Sequence, residues 1–567
     1  MTLTKKDGTK VEREYEKPQY GGVYKYYRAS SVLAFDEAYQ PPWTTGNELS
    51  HTNEELLQGN KFMGAAGTHE VEWFVGGWIR ESASLGALAE SWEFPDDSTI
   101  IFHIRKGVRY ALDPKSEASR LMNGREFVAD DVVVNIKRIY FDIPSSTMYG
   151  MAGVTRPLEV YATDKYTVVV KSVKGQYGKT WEYLADWTRM FPPEVVKKYG
   201  DQNDWKNVVG TGPFMLTDYV PMSVVTWTRN PNYWMKDPIF PENQLPYIET
   251  MKEFVIPDKS TQVAAVRTAK VDVSLLQYWE DSASLKKTTP LLKFNSVPQS
   301  SYYGMGFRMD KPELPFKDIR VRRALLMAVN HQEIVDTYFG GQGNILNFKA
   351  MNLKIFENVY IPVGKLPPAA DGFDNNLLYT YHPVEAKKLL TEAGYPNGFK
   401  TEVVVNAATQ EYVDQMLMLK EYWMKNLNVD VFVDIKENAV ASSMYQKKSF
   451  KEMLIWGRWG GEPYSMFMVR KDNMYDWALI NDPKMDDYYL KLSALYFKEA
   501  ERDVLMKEVN QYIISQVYYY VPPTGWYTYF WWPWVKNYDG DISLGVGNYY
   551  WQKYIWLDQG LKKSMGY

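Results

Sequence analysis

The stretch TEVVVNAATQEYVDQMLMLKEYWMKNLNVDVFVDI, residues 401–435, decides the fold class. Residues 401–406 are a short apolar run rich in valine, which reads as a buried strand. Residues 410–427 read as a helix, and 429–435 return to a strand. Strand, helix and strand in that order form a crossover between parallel strands, so the architecture is mixed α/β. Working back along the chain, His382–Pro383 starts a helix with proline in its first turn, and Gly394 closes it after Ala386, Leu389, Leu390 and Ala393. Asp318 caps another that carries Ile319, Val321, Ala324, Leu325, Ala328 and Val329. The Gly340–Gly341 pair stops the helix after that.

Earlier still, 271–275 and 251–256 read as strands around a helix at 259–269. Residues 208–225 are strand-like with Gly and Pro punctuation, and 229–234 mark a turn. Residues 97–110 read as a strand pair with Ile100, Phe102 and Ile104 on one face. Asp130 and Asp131 open a helix, where early carboxylates suit the dipole, with a stripe of Val132, Val133, Ile136, Ile139 and Tyr140. A strand alternates at 23–26 behind Gly21–Gly22. Residues 40–59, rich in Pro, Thr, Asn and Glu, read as a loop. The first 18 residues are charged and aperiodic, as expected of a flexible lead or tether. No internal repeat is visible.

The 567 residues are enough for about two to four domains, or one large two-lobed body. Hydrophobic residues make up 45% and charged residues 24%, ordinary for a globular chain. The net charge of −4 offers no basic excess for nucleic acid or an anionic membrane surface. No apolar run reaches the roughly 18 residues of a spanning helix. Cysteine is absent, which excludes thiol catalysis, disulfides and thiolate metal sites together. Aromatic residues reach 16%, with 20 Trp and 44 Tyr, more amphipathic rings than a core alone calls for. Some are expected to line a wet cleft or cover an exposed face. Met1 leads directly into polar residues without an apolar export segment, so an exported protein would have lost its signal.

Chemistry is sparse. His51, His69, His103, His331 and His382 stand apart with no ligand spacing, so no metal is expected. Neither a phosphate-binding glycine loop nor a Gly-x-Ser-x-Gly nucleophile turn occurs. The 69 Asp and Glu residues leave a pair of cleft carboxylates open, and with it a secreted glycoside hydrolase. No cofactor is implied.

Several segments, in order, resemble the family 5 solute-binding proteins of ABC importers. They are LAESWE (88–93), FHIRKGV (102–108), NGREFVADDV (123–132), GTGPF (210–214), RNPNYW (229–234), DIRVRRAL (318–325) with AVN (328–330), and AKKLLTEAGY (386–395). The resemblance covers the chain from about 21 to 559. It implies a two-lobed periplasmic-binding-protein-like α/β fold with an extra domain inserted in the first lobe. Lobe one would comprise 19–70, 205–295 and 522–567, the extra domain 71–204, and lobe two 296–521. It further implies a monomer on the outer face of the cytoplasmic membrane, periplasmic or cell-surface. Such a protein catalyses nothing, delivers its ligand to ABC importer permease subunits after hinge closure, and touches the membrane only through a lipid anchor.

The ligand is read from IWGRWGGEPY (455–464), which resembles a family loop whose Asp receives a peptide's amino terminus. Trp459 occupies that place here, which turns the expectation from a free peptide towards an oligosaccharide stacked on indole. Trp456 shares the platform, with Arg458 and Glu462 as rim partners; the same indoles can instead pack beneath the loop. Position alone adds Tyr278 and Trp279 after a strand, Tyr303, Trp526 and Tyr527 beside the two lobe crossings, and Trp43 in the Pro-rich loop. The alternative ligand is an oligopeptide or modified peptide held by backbone hydrogen bonds. Trp531, Trp532 and Trp534 read as packing.

Overall fold

Tyr24 and Tyr26 alternate with Val23 and Lys25, and that period of two builds the first strand of the main sheet, β1 (Val23–Arg28). Its tyrosines are almost fully buried. β2 (Phe214–Val220) and β3 (Val224–Arg229) form an antiparallel pair, β4 (Thr250–Val255) runs antiparallel to β3, and β1 closes the sheet parallel to β4. Register places Tyr24 opposite Met251 and Tyr26 opposite Glu253, while Val225 and Trp227 lie across from Glu253 and Met251. One face is therefore an apolar floor that also carries a buried carboxylate.

The computed structural model describes residues 1–32, 34–39, 48–71, 73, 80–146, 148, 152, 155–274, 278–298, 301–345, 357–459, 470, 476–545 and 547–567, with the backbone alone at 301–303, 458 and 459. Two compact units emerge, Met1–Val297 with Tyr527–Tyr567, and Pro298–Trp526.

In the first unit the stretch 48–59 departs from the expected surface loop: every residue in it is buried. This strap crosses the apolar floor, with the His51 ring 4.8 Å from that of Trp227 and its Nε2 3.0 Å from the Tyr26 hydroxyl. Its main chain is matched by segments from far along the sequence. Gly212 and Phe214 donate to the carbonyls of Thr52 and His51, Ala87 and Ala89 to Leu56, and Met190 to Glu54. Gly210 and Gly212 are glycines because the strap passes against them: an added Cβ would lie 2.0 Å from the Thr52 carbonyl oxygen at Gly210 and 2.7 Å from that of His51 at Gly212. Asn230 holds the same turn, donating its side-chain amide to Gly212 O at 2.8 Å. Tyr233 and Trp234 both donate to the Glu54 carboxylate, at 2.7 and 2.9 Å.

A second sheet in this unit orders Ala89–Asp96, Thr99–Ile104, Thr167–Lys171 and Glu159–Asp164, all antiparallel. Ile100, Phe102 and Ile104 are buried as alternation demands, and the helix Ala129–Lys137 buries Val132, Val133 and Ile136. The first 18 residues, expected as a flexible lead, are ordered. Thr2–Thr4 pairs with Lys10–Glu12, Arg13 donates to the carbonyls of Gly67 and Ala65, and Tyr15 to that of Ala66. The charge of Arg13, part of what suggested a tether, serves as a hydrogen-bond donor to a turn. Trp531, Trp532 and Trp534 are buried, the last two stacked at 4.7 Å.

The second unit is built on β5 (Ser301–Phe307), β6 (Lys400–Asn406), β7 (Asp430–Lys436), β8 (Met453–Trp459) and β9 (Tyr519–Tyr520), in the order β7-β6-β8-β5-β9. β6 is parallel to β7 and β8, and β5 is antiparallel to β8 and β9. The crossover helix α1 (Gln410–Leu427) joins β6 to β7, and α2 (Asn438–Lys447) joins β7 to β8. Asp318 caps the helix Ile319–Met327 by accepting from Arg320 N, and Arg323 pairs with Asp371. Buried Arg322 donates to the carbonyls of Phe316, Gln516 and Val517, two of which end the helix Glu499–Gln516 where the dipole is negative.

Gly212→Ala and Gly210→Ala should each cost about 1–3 kcal/mol, since rigid backbone must shift to admit a methyl group. Gly560→Ala, whose Cβ meets nothing closer than 3.5 Å, should be nearly neutral. Urea denaturation of the three variants checks the contrast.

Candidate functional site

Three parallel strands bring their carboxyl ends to one edge of the second unit: β6 at Asn406, β7 at Lys436 and β8 at Trp459. β5 runs the other way and enters that edge at Ser301. Edges of this kind are where open α/β sheets hold ligands, because loops and helix N-termini converge there with main-chain groups that no strand satisfies. α1 and α2 both start from it. Asn406 shapes the first turn: its Oδ1 accepts from Ala408 N at 3.0 Å, and its Nδ2 donates to Asn438 Oδ1, at the start of α2, at 2.9 Å.

Several residues singled out in the sequence meet here. Register sets Ser301 opposite Trp459, Tyr302 opposite Arg458 and Tyr303 opposite Gly457, so Tyr303, Arg458 and Trp459 lie on adjacent strands at the edge. Trp456 has one face committed: it stacks on Tyr445 of α2 at 4.6 Å and 7°, and Tyr445 meets Trp477 edge-on at 5.9 Å. Lys448 Nζ lies 4.4 Å from the Tyr445 ring. Trp456 remains half-buried. Gly457 is open for a reason, since an added Cβ would stand 2.6 Å from the Tyr412 hydroxyl. Tyr412, in the first turn of α1, thus lies across β8 at the level of Tyr303.

The other candidates are placed elsewhere or lie outside the described residues. Trp526 belongs to the second unit, on the strand Thr524–Trp531, with its main-chain N–H on Gln342 O at 2.9 Å and its indole N–H buried. Tyr278, Trp279 and Tyr527 belong to the first unit. Tyr278 precedes the helix Trp279–Thr288, meets Tyr527 edge-on at 5.5 Å and has Lys259 Nζ 4.5 Å from its ring. Trp43 and Glu462 lie outside the described residues.

Asn406, Tyr412, Asn438 and Tyr445 were not singled out from the sequence. The signal for Tyr412 was indirect, a glycine in a tryptophan-rich strand next to a parallel neighbour. For Asn406 it was an amide ending an all-valine run. Among the described residues, no cluster of three His, Asp or Glu side chains is arranged to hold a metal. No described helix is long and apolar enough to cross a membrane. Among the described side chains at this edge are the Asn406 amide, bonded at both ends, and the half-buried Trp456 ring.

The family description "Bacterial extracellular solute-binding proteins, family 5 Middle" matches residues 85–473. A heme-binding protein A of Haemophilus influenzae is 26% identical over 467 residues, 76% of this chain and 77% of that protein. The dipeptide-binding protein of Escherichia coli is 27% identical over 338 residues, 56% of each chain. In fold, the chain resembles an ABC transporter-associated periplasmic binding protein from Helicobacter pylori in complex with the peptide STSA. The TM-score is 0.70 at 18% identity, covering 95% of this chain and 99% of that one.

Gly457→Ala should cost about 1 kcal/mol, the low end for an added methyl group, because the colliding atom is the end of a movable side chain. Removing that side chain as well, in Gly457→Ala with Tyr412→Ala, should remove the clash term from a double-mutant cycle read by urea denaturation.

Proposed function

The chain belongs to family 5 of the bacterial extracellular solute-binding proteins, and on that premise we propose that it is the substrate-binding component of an ABC importer whose ligand is a peptide. Proteins of this family bind their ligands and do not transform them, and they work outside the cytoplasmic membrane. The permease subunits of the importer are the expected partners.

Family membership across 85–473, with a dipeptide-binding relative inside it, carries the peptide reading. It favours the alternative ligand over the oligosaccharide, whose expectation rested on Trp459 standing where a peptide-binding loop has Asp. The physical argument from Trp459 still limits the kind of peptide contact. Without that carboxylate, the ligand's amino terminus loses an ion-pair partner, and affinity must come from main-chain hydrogen bonds and ring faces. The half-buried Trp456, stacked on Tyr445 at the edge, is a ring of that type.

Thermal unfolding against a peptide library, neutral and acidic oligosaccharides, and hemin tests the assignment. A ligand that binds only the folded state at a hundredfold excess over Kd stabilises it by about 2.7 kcal/mol. Peptides should raise Tm, with a smaller rise in Trp459→Ala. A rise with oligosaccharides alone would restore the sugar reading, and a rise with hemin alone would align the chain with its heme-binding relative.

A further inference from the structure

The strap 48–59 brings carboxylates into the first unit faster than the surrounding residues supply cations. Arg28, at the end of β1, faces two of them: it pairs with Glu48 and lies 3.9 Å from Glu253 Oε2. Arg189 also faces two: it pairs with Glu37 and lies 3.2 Å from Glu55 Oε1. All four carboxylates and Arg189 are buried, and Arg28 nearly so. Three carboxylate oxygens, Glu48 Oε2, Glu55 Oε1 and Glu253 Oε2, have no hydrogen-bond donor among the described residues. Four buried carboxylates share two guanidinium groups, so two of the four negative charges have no counter-charge, and burial without one favours the protonated form.

Among the described residues, no neighbouring group makes up the deficit. Asp36 is neutralised by two hydrogen bonds from Arg138, at 2.9 and 2.6 Å. His51 is held neutral, its pKa lowered to about 3 by burial and by Arg189. Lys553 faces Glu54, itself bound by Tyr233 and Trp234. Tyr24, Tyr26, Tyr549 and Tyr550 are buried phenols that stay neutral. Residues 40–47 contain no ionisable side chain.

We propose that this cluster is a proton-dependent latch: two of its four carboxyl groups are protonated at neutral pH, and their ionisation at higher pH loosens the strap from the main sheet. Burial raises the carboxyl pKa of all four, and Glu55 reaches about 8 from the ordinary 4.5. Between those values the folded chain keeps protons that the unfolded chain has released. Stability from the Glu55 carboxyl is therefore full below about 4.5 and is lost as pH rises through about 8, and the other raised carboxyls act in the same direction.

Infrared spectroscopy of the intact protein at pH 7 should show the C=O stretch of protonated carboxyl groups, reduced in Glu55→Gln and again in Glu253→Gln. Urea denaturation from pH 5.5 to 8.5 should show the folded-to-unfolded ratio falling with pH, by up to about 100-fold per unit for two protons. The double Gln variant should flatten that slope. Absence of the infrared band, a wild-type stability flat or rising with pH, or a slope unchanged in the double variant would overturn the latch. If the double variant does not fold, the wild-type band and slope decide.

Discussion

Everything in the first unit depends on satisfying a strap of chain that is polar in sequence and buried in space. Burying Glu48, Glu54 and Glu55 together is costly unless each finds donors or a counter-charge. The unit supplies part of this from segments that are remote along the chain: Arg28 from the first strand and Arg189 from beyond the second sheet, each shared with a second carboxylate, and Tyr233 with Trp234 from the turn after β3. The glycines of GTGPF belong to the same arrangement, because only a bare backbone lets residues 210–212 lie against the strap's carbonyls. GTGPF, RNPNYW and the start of LAESWE thus share a physical duty, which is to receive one buried, carboxylate-rich segment.

The second unit uses a different economy, built from glycine and rings. Gly306 leaves room for buried Trp477, whose Cδ1 would stand 2.3 Å from an added Cβ, and Gly457 leaves room for Tyr412. Tyr445 lies between Trp456 and Lys448. Much of the aromatic excess is spent in this way, filling space that glycine opens beside a strand. That tempers any reading of a tryptophan as a ligand platform: Trp456 is half support, and Trp531, Trp532 and Trp534 are core.

The elements themselves were largely legible. The helix read at 410–427 is Gln410–Leu427, and the strands around it are Lys400–Asn406 and Asp430–Lys436. The cap at Asp318 and the proline start at Pro383 hold as well. Of residues 271–275, read as a strand, those described form only an isolated bridge at Val273, and two further segments read differently for one shared reason. Residues 48–59 and the first 18 residues lack periodicity and carry charge, which locally signals exposure. The strap is buried because distant arginines and tyrosines meet it, and the lead is ordered because a turn at 61–68 offers it carbonyl oxygens.

For this protein, sequence alone determined the α/β class and the order of its elements, because periodicity, caps and turn residues are properties of neighbours along the chain; the family was legible only through the resemblance of its ordered motifs. Tertiary structure alone decided which of the many aromatic rings stand at a strand edge and which are core. It also decided where the carboxylates of the strap find their counter-charges. Those depend on close approach and electrostatic pairing between residues far apart in sequence, and a local pattern carries no information about either.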